Sequence, residues 1–279
     1  MNREKIMARV EEHYKYLESL GYEVVCTCLQ GSQNYGLDEY SEEYCSDIDT
    51  KSIILPKLKD FIMALPPVSK VEVMYNDEHA EVKDIRIMFE MLRKMNISYI
   101  ELLYSKYVYI NPKWVDYIYN LFLYRDEIAS YNRNQFIKCI YGMALEKQKA
   151  LCHPYPNIIH KIQEFGYDGK QLSHCRRLLN FLSRYLDGEP IATCYEVHEP
   201  AKTILMNNKK QLDANGEVLS LASAKSQCDA YVAAITVLKN DAVIEYDELN
   251  YKAVEILEDI KYEILKEQMS RALAWEERE

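Results

Sequence analysis

The sequence predicts an α+β fold, in which a strand-bearing N-terminal domain with a small mixed sheet precedes a helical domain. Three observations carry this expectation. Runs of β-type residues cluster before about residue 110, apolar residues recur at helical spacing after it, and the composition is globular. Of the 279 residues, 48% are hydrophobic and 28% charged, which supplies a sizeable core and argues against a disordered chain. The two domains are drawn at residues 1–108 and 109–279.

Residues 1–20 place Ile6, Val10, Tyr14 and Leu17 on one helical stripe, with Gly21 as the stop. The run YEVVCTCL at 22–29 is a strand that ends at Gly31, and IDTKSIIL at 48–55 is a second one closed by Pro56. Two shorter runs follow, VEVMY at 71–75 and AEVKDI at 80–85, joined by a turn over residues 76–79. Residues 84–104 return to helical spacing, with Ile85, Met88, Phe89 and Leu92 on one side. Pro112 can start a helix, and helical periodicity covers 113–129, 133–150, 169–186, 216–239 and 247–274. Asp168 with Gln171 forms a capping box for the third of these. The stretch 187–200 has no clear period, and RALAWEERE at the C-terminus reads as a frayed helix end.

The net charge of −10 removes any global pull toward nucleic acid, so an RNA or DNA substrate would need a local basic patch. The opening residues are charged and helical rather than signal-like, and no apolar run reaches membrane-spanning length. A soluble, cytoplasmic protein is expected. The eight cysteines include no CxxC pair, and His153, His160 and His174 stand at no standard zinc spacing from Cys152 and Cys175. Free, mostly buried thiols are the expectation. The 24 tyrosines are spread along the chain and form no repeat, and most are read as core and boundary residues.

The informative stretch is GSQNYGLDEYSEEYCSDIDTK, residues 31–51. Gly31 and Ser32 follow a strand and precede a short helix-compatible segment. A glycine there lets backbone N–H groups approach phosphate oxygens, and the Ser32 hydroxyl can add a hydrogen bond. Asp47 and Asp49 open the next strand one residue apart. Side chains alternate along a strand, so both carboxylates leave the same face with Cα atoms about 6–7 Å apart, while Ile48 points into the core. Two hard oxygen donors in that arrangement suit Mg²⁺, with Mn²⁺ as a substitute. Lys51 continues the alternation and either faces the phosphates or is a solvated strand-end lysine. The acidic run 39–44 is expected to form a solvated loop over the site. His79, in the turn, is read as a poor candidate for a ligand.

In Gly31, Ser32, Gly36, Ser46, Asp47 and Asp49 the chain resembles the DNA polymerase β-like nucleotidyltransferase superfamily. Within it, GSQNYGL with SDIDTK is most similar to the RNA-ligase-associated branch, linked to RNA repair. The run IRIMFEMLRKMNISYIELLYS at 85–105 is similar to that branch too, as, more faintly, is GYDGKQLSHCRRLL at 166–179. The resemblance implies a polymerase-β-like catalytic domain and a two-metal transfer of a nucleotidyl group from a nucleoside triphosphate. Asp47 and Asp49 would hold both Mg²⁺ ions, Gly31, Ser32, Ser46 and Lys51 would contact the nucleotide, and a third carboxylate would complete the metal site. That third group is Glu81 or Asp84. Glu81 is favoured, because Asp84 can equally cap the following helix. Lys170, His174 and Arg177 fall at i, i+4 and i+7 of one helix, where they either bind the triphosphate or an RNA backbone or form an ordinary solvated face.

The acceptor hydroxyl is expected on an RNA end, a protein side chain or a small molecule, with RNA favoured by the branch resemblance. The alternative is a catalytically silent nucleotide-binding or regulatory partner, as in a defence or toxin–antitoxin pair, since a fold does not by itself decide activity.

Overall fold

The computed structural model describes residues 3–40, 45–75, 77–244 and 249–276. Within them the chain forms two compact units. The first comprises residues up to 34, 38–132 and from 248 onward, and the second comprises 35–37 and 133–247.

The first unit is built on a five-stranded mixed sheet. In chain order it contains α1 (Arg3–Ser19), β1 (Glu23–Gln30), the start of α2 (Ser32–Tyr35), β2 (Asp49–Leu55), α3 (Leu58–Ile62), β3 (Ser69–Val73) and β4 (His79–Asp84). There follow α4 (Ile85–Arg93), α5 (Ile97–Leu103), β5 (Val108–Ile110), α6 (Val115–Leu123), α7 (Arg125–Ala129) and, from the C-terminal part of the chain, α14 (Tyr251–Glu276). The strand order is β3-β4-β2-β1-β5, with β2 and β4 parallel and every other pair antiparallel. α1 lays its apolar stripe on one face. Tyr14 and Leu17 pack with Val24, Ile54, Ala80 and Val82, and Ile6 and Val10 with Leu29 and Ile48. Register and strand alternation put Asp49, Lys51, His79 and Glu81 on the opposite face.

Four strands lie where the sequence places them, shifted by a residue or two. β5 is new, a three-residue strand too short to show a period. The single helix expected over 84–104 is two, because Met95 takes a left-handed φ of 54° and Asn96 caps α5 through its side chain, which accepts from Ser98 N at 3.0 Å. Residue 76 of the expected turn, residues 41–44 of the acidic loop and the last three residues lie outside the described set.

The boundary drawn at 108/109 falls inside the first unit, and the helical half is not one block. α6 and α7 belong with the sheet, and α14 returns to it. Arg271 Nη2 donates to the Lys113 carbonyl at 3.0 Å, and its guanidinium lies 4.8 Å from the ring of Trp114, which is fully buried. Gln268 donates to the Pro56 carbonyl. Sequence periodicity finds helices but carries no record of which layer they join.

The second unit holds α8 (Arg133–Ala150), α9 (Ile159–Phe165), α10 (Gly169–Leu186), α11 (Ile191–Tyr195), α12 (Ala201–Lys209) and α13 (Leu221–Ala242). α10 packs on α8, α12 and α13 around Phe136, Ile140, Leu172, Phe181, Leu182 and Ile235. Asp168 caps α10 by accepting from Lys170 N at 3.0 Å, and Gln171 Nε2 donates to the same carboxylate at 3.0 Å. Its two chain ends are joined, since Asn134 Nδ2 donates to the Ile244 carbonyl at 2.7 Å and Ile244 N donates to Asn134 Oδ1 at 3.2 Å. In the first unit, Asn250 N donates to the Tyr131 carbonyl at 3.0 Å, so the chain leaves and re-enters that unit at one place. All eight cysteines are free, and no described helix is long and apolar enough to cross a membrane.

Candidate active site

The site grows from the end of β1. Gln30 pairs with Asp49, and the next residue, Gly31, turns the chain with a φ of 98°, a conformation that L side chains rarely adopt. α2 starts immediately after it. The bend is held from within, because Asn34 Nδ2 donates to the Leu29 carbonyl at 2.8 Å and Asn34 Oδ1 accepts from Lys106 N at 3.1 Å. Gln33 ties the bend to the aspartates by donating to the Asp47 carbonyl at 2.7 Å. Ser32 is half-buried beside it, with its hydroxyl 3.4 Å from Gln33 Oε1.

Ile48 is buried with Leu29, while Asp47 is exposed and Asp49, the first residue of β2, is half-exposed. Ser46 is tied to Glu39. Its hydroxyl accepts from Glu39 N at 2.9 Å and its own N–H donates to the Glu39 carbonyl at 2.9 Å, which closes the loop that precedes Asp47.

Lys51 is 4% exposed, so it is not a solvated strand-end lysine. Its ammonium stands 3.5 Å from Glu81 Oε2 and 4.7 Å from the centre of the Tyr99 ring. Burial pulls its pKa down, and the Glu81 carboxylate opposes that. Lys83 approaches the same Glu81 oxygen at 3.6 Å. Glu81 thus shares the face of Asp49 but sits between two ammonium groups. Asp84 is fully buried on the other face. It caps α4 by accepting from Arg86 N at 2.9 Å, and it binds the Arg86 guanidinium at 3.0 and 2.7 Å. As the helix cap it is committed elsewhere, and of the two candidates Glu81 alone shares the aspartates' face.

His79 stands beside Asp49, a neighbour that the sequence does not reveal. Parallel pairing of β4 with β2 brings it level with Asp49, so His79 N donates to Asp49 Oδ1 at 3.1 Å and its Nδ1 lies 3.4 Å from the same oxygen. The signal that finds it is the strand register, which two short apolar runs do not reveal. Among the described residues, no group of three or more His, Cys, Asp or Glu side chains is gathered closely enough to hold a metal ion.

Lys170, His174 and Arg177 all lie on α10 in the second unit, but not as one solvated stripe. Lys170 is exposed, His174 half-buried, and Arg177 only 8% exposed, with its guanidinium 3.9 Å from the ring centre of Tyr35, which belongs to this unit. Desolvation holds the His174 pKa well below its ordinary value, and the positive charges of Arg177, Lys170, Lys147 and Lys209 push the same way. This neighbourhood is therefore electropositive, with a neutral imidazole at its centre.

No protein-family model and no curated protein matches the sequence. Among solved structures, the chain is similar to a nucleotidyltransferase-like protein from Exiguobacterium sibiricum 255-15 at 10% identity. That likeness covers 90% of this chain and 77% of the other, with a TM-score of 0.27. At that score the α+β assignment rests on the sheet and helices themselves.

Proposed function

We propose that this chain is a nucleotidyltransferase that moves a nucleoside monophosphate from a Mg²⁺-bound nucleoside triphosphate to a hydroxyl acceptor, with an RNA end as the favoured acceptor. The reading is supported by a left-handed glycine bend whose Gln33 donates to the Asp47 carbonyl, with Asp49 opening β2 opposite Gln30 at the same bend. The resemblance of residues 31–51 to polymerase-β-like enzymes supports it. The donor set fits a hard divalent cation, since two accessible carboxylates leave room for water and phosphate oxygens. Asp47 and Asp49 would hold Mg²⁺, or Mn²⁺ in its place, which when bound neutralises charge on the triphosphate and polarises it.

The chain's own groups do the remaining work. N–H groups at the Gly31 bend and the Ser32 hydroxyl orient phosphate oxygens. Glu81, which Lys51 holds at 3.5 Å, would have to leave that lysine to act as the third carboxylate, while Lys51 adds positive charge on the phosphate side. Lys170 and Arg177 offer cations to an anionic ligand in the second unit, and the neutral His174 imidazole between them can accept a hydrogen bond.

The experiment is incubation of the full chain with labelled nucleoside triphosphates, Mg²⁺ or Mn²⁺ and an RNA pool. Label should move to RNA and stay unbound with Asp47→Ala or Asp49→Ala. Tight binding of Mg²⁺ and nucleotide with no transfer to RNA, protein or small hydroxyl compounds overturns the enzyme reading. It would select a second one, a nucleotide-binding regulatory partner. That reading has an observation in its favour: Glu81 is held by two lysines rather than presented with the aspartates.

A further inference from the structure

We infer that two copies of this chain associate through the free edge of β3, in antiparallel register about Val71, to make one continuous sheet across a two-fold axis. β3 ends the strand order, and among the described residues no strand covers its outer side. An open edge of this kind is a template for another strand unless it is blocked by proline, bulges or clustered charge. Here the five residues Ser69–Val73 contain no proline, and the strand is regular throughout its pairing with β4.

The phase of the ladder fixes which backbone groups face outward. Asp84 N donates to the Val68 carbonyl at 2.9 Å and Met74 N to the Glu78 carbonyl at 2.8 Å, so residues 68 and 74 exchange bonds directly with β4. In an antiparallel pair such residues alternate, so 70 and 72 also turn toward β4, and Ser69, Val71 and Val73 turn their N–H and C=O groups away from it. A second β3 docked antiparallel about Val71 meets the same three residues in reverse order. Val71 then exchanges bonds with Val71 of the second copy, and Ser69 with its Val73.

The side chains of that register are self-complementary. Lys70 falls opposite Glu72 of the second copy, and Glu72 opposite its Lys70, in the non-hydrogen-bonded positions where facing side chains come closest. Opposite charges therefore meet twice, once on each side of the axis. Moving the register by two residues would instead set Lys70 against Lys70 or Glu72 against Glu72. The Glu72 carboxylate is already oriented, since its Oε1 accepts from the Tyr22 hydroxyl at 3.1 Å. On the other face Val71 and Val73 are 52% and 54% exposed, so β-branched side chains stand in water where pairing would cover them. An interface whose patch matches its own copy is the kind that closes as a symmetric dimer.

The test is molar mass by light scattering over a dilution series of the full chain. The wild type should rise from the 32.8 kDa monomer toward twice that mass as concentration increases. Lys70→Glu and Glu72→Lys should each remain monomeric, with unchanged far-UV circular dichroism showing that they are folded. The double variant K70E/E72K restores the pairing in reversed sense and should recover the dimer. An equimolar mixture of the two single variants should also dimerise, because each supplies the charges that the other lacks. A wild type that stays at monomer mass throughout overturns the inference. So does a dimer that survives both single reversals, or single variants that lose the dimer but show no recovery in the double variant or the mixture.

Discussion

The two units bury polar side chains in different ways. In the sheet unit, several buried polar groups face one another, while Asn34, Asn111 and Gln268 bond to backbone carbonyls. Thr27 Oγ1 meets Ser52 Oγ at 2.8 Å, and His13 joins Thr50 at 2.9 Å to Glu78 at 3.0 Å. Lys51 stands against Glu81, and Asp84 against Arg86. In the helical unit they mostly finish the backbone. The Tyr167 hydroxyl donates to the Leu219 carbonyl at 3.0 Å, Ser173 Oγ to the Leu205 carbonyl at 2.9 Å, and Asn134 joins the two chain ends. Pairs between side chains fix where particular functional atoms point, whereas bonds to backbone fix only where an element starts or stops. The buried pairs between side chains named here lie in the unit that carries Asp47 and Asp49.

The strongest way to break this contrast is through activity. Asp49→Asn should lower nucleotidyl transfer on the order of 10²–10³-fold, the rate equivalent of several kcal/mol of charge stabilisation. Asp84→Asn, which keeps an N-cap side chain, should leave transfer near the wild-type rate in the same assay. Equal losses in both would mean that Asp84 acts in the chemistry rather than as a cap.

Stability separates the units next. Trp114→Ala and Phe181→Ala each remove a buried aromatic and should cost about 3–5 kcal/mol. Hydrogen exchange should show lost protection over β1, α6 and α14 in the first variant and over α8, α10 and α13 in the second. Protection lost everywhere in both would show that the units unfold together. A smaller effect is expected at Gly169, where a Cβ would overlap the Asn208 carbonyl oxygen. Gly169→Ala should cost about 1–3 kcal/mol in a denaturant titration, because backbone rather than a flexible side chain must give way.

The subtlest comparison is with pH. Burial lowers the pKa of both His13 and His174 below the ordinary 6.5. The unfolded chain then binds the extra protons, so their contribution to stability is present above about pH 6.5 and is lost as pH falls through the folded values. His13→Gln should flatten the acid side of the stability profile measured in the sheet unit, and His174→Gln that of the helical unit, with His174 acting to lower pH. A profile unchanged by either substitution would remove both histidines from the acid response.

Much of this was legible in the sequence. The four main strands, α1, α8 and α10 follow from apolar periodicity, and the cap at Asp168 from its spacing to Gln171. The burial of Ile48 between Asp47 and Asp49 follows from the same alternation. Long-range placement was not legible. That α14 covers Trp114, that His79 lies beside Asp49 and that Arg177 packs on Tyr35 all depend on contacts between residues far apart in sequence. Lys51 could not be assigned for the same reason, because its burial depends on Glu81 and Tyr99, which come from two other elements.

The return of α14 has a consequence for synthesis on the ribosome. Residues 35–37 and 133–247 leave the ribosome ahead of α14, so the nascent chain can complete its helical unit while the sheet still lacks the cover over Trp114. The part of the molecule that begins first is thus the part that closes last.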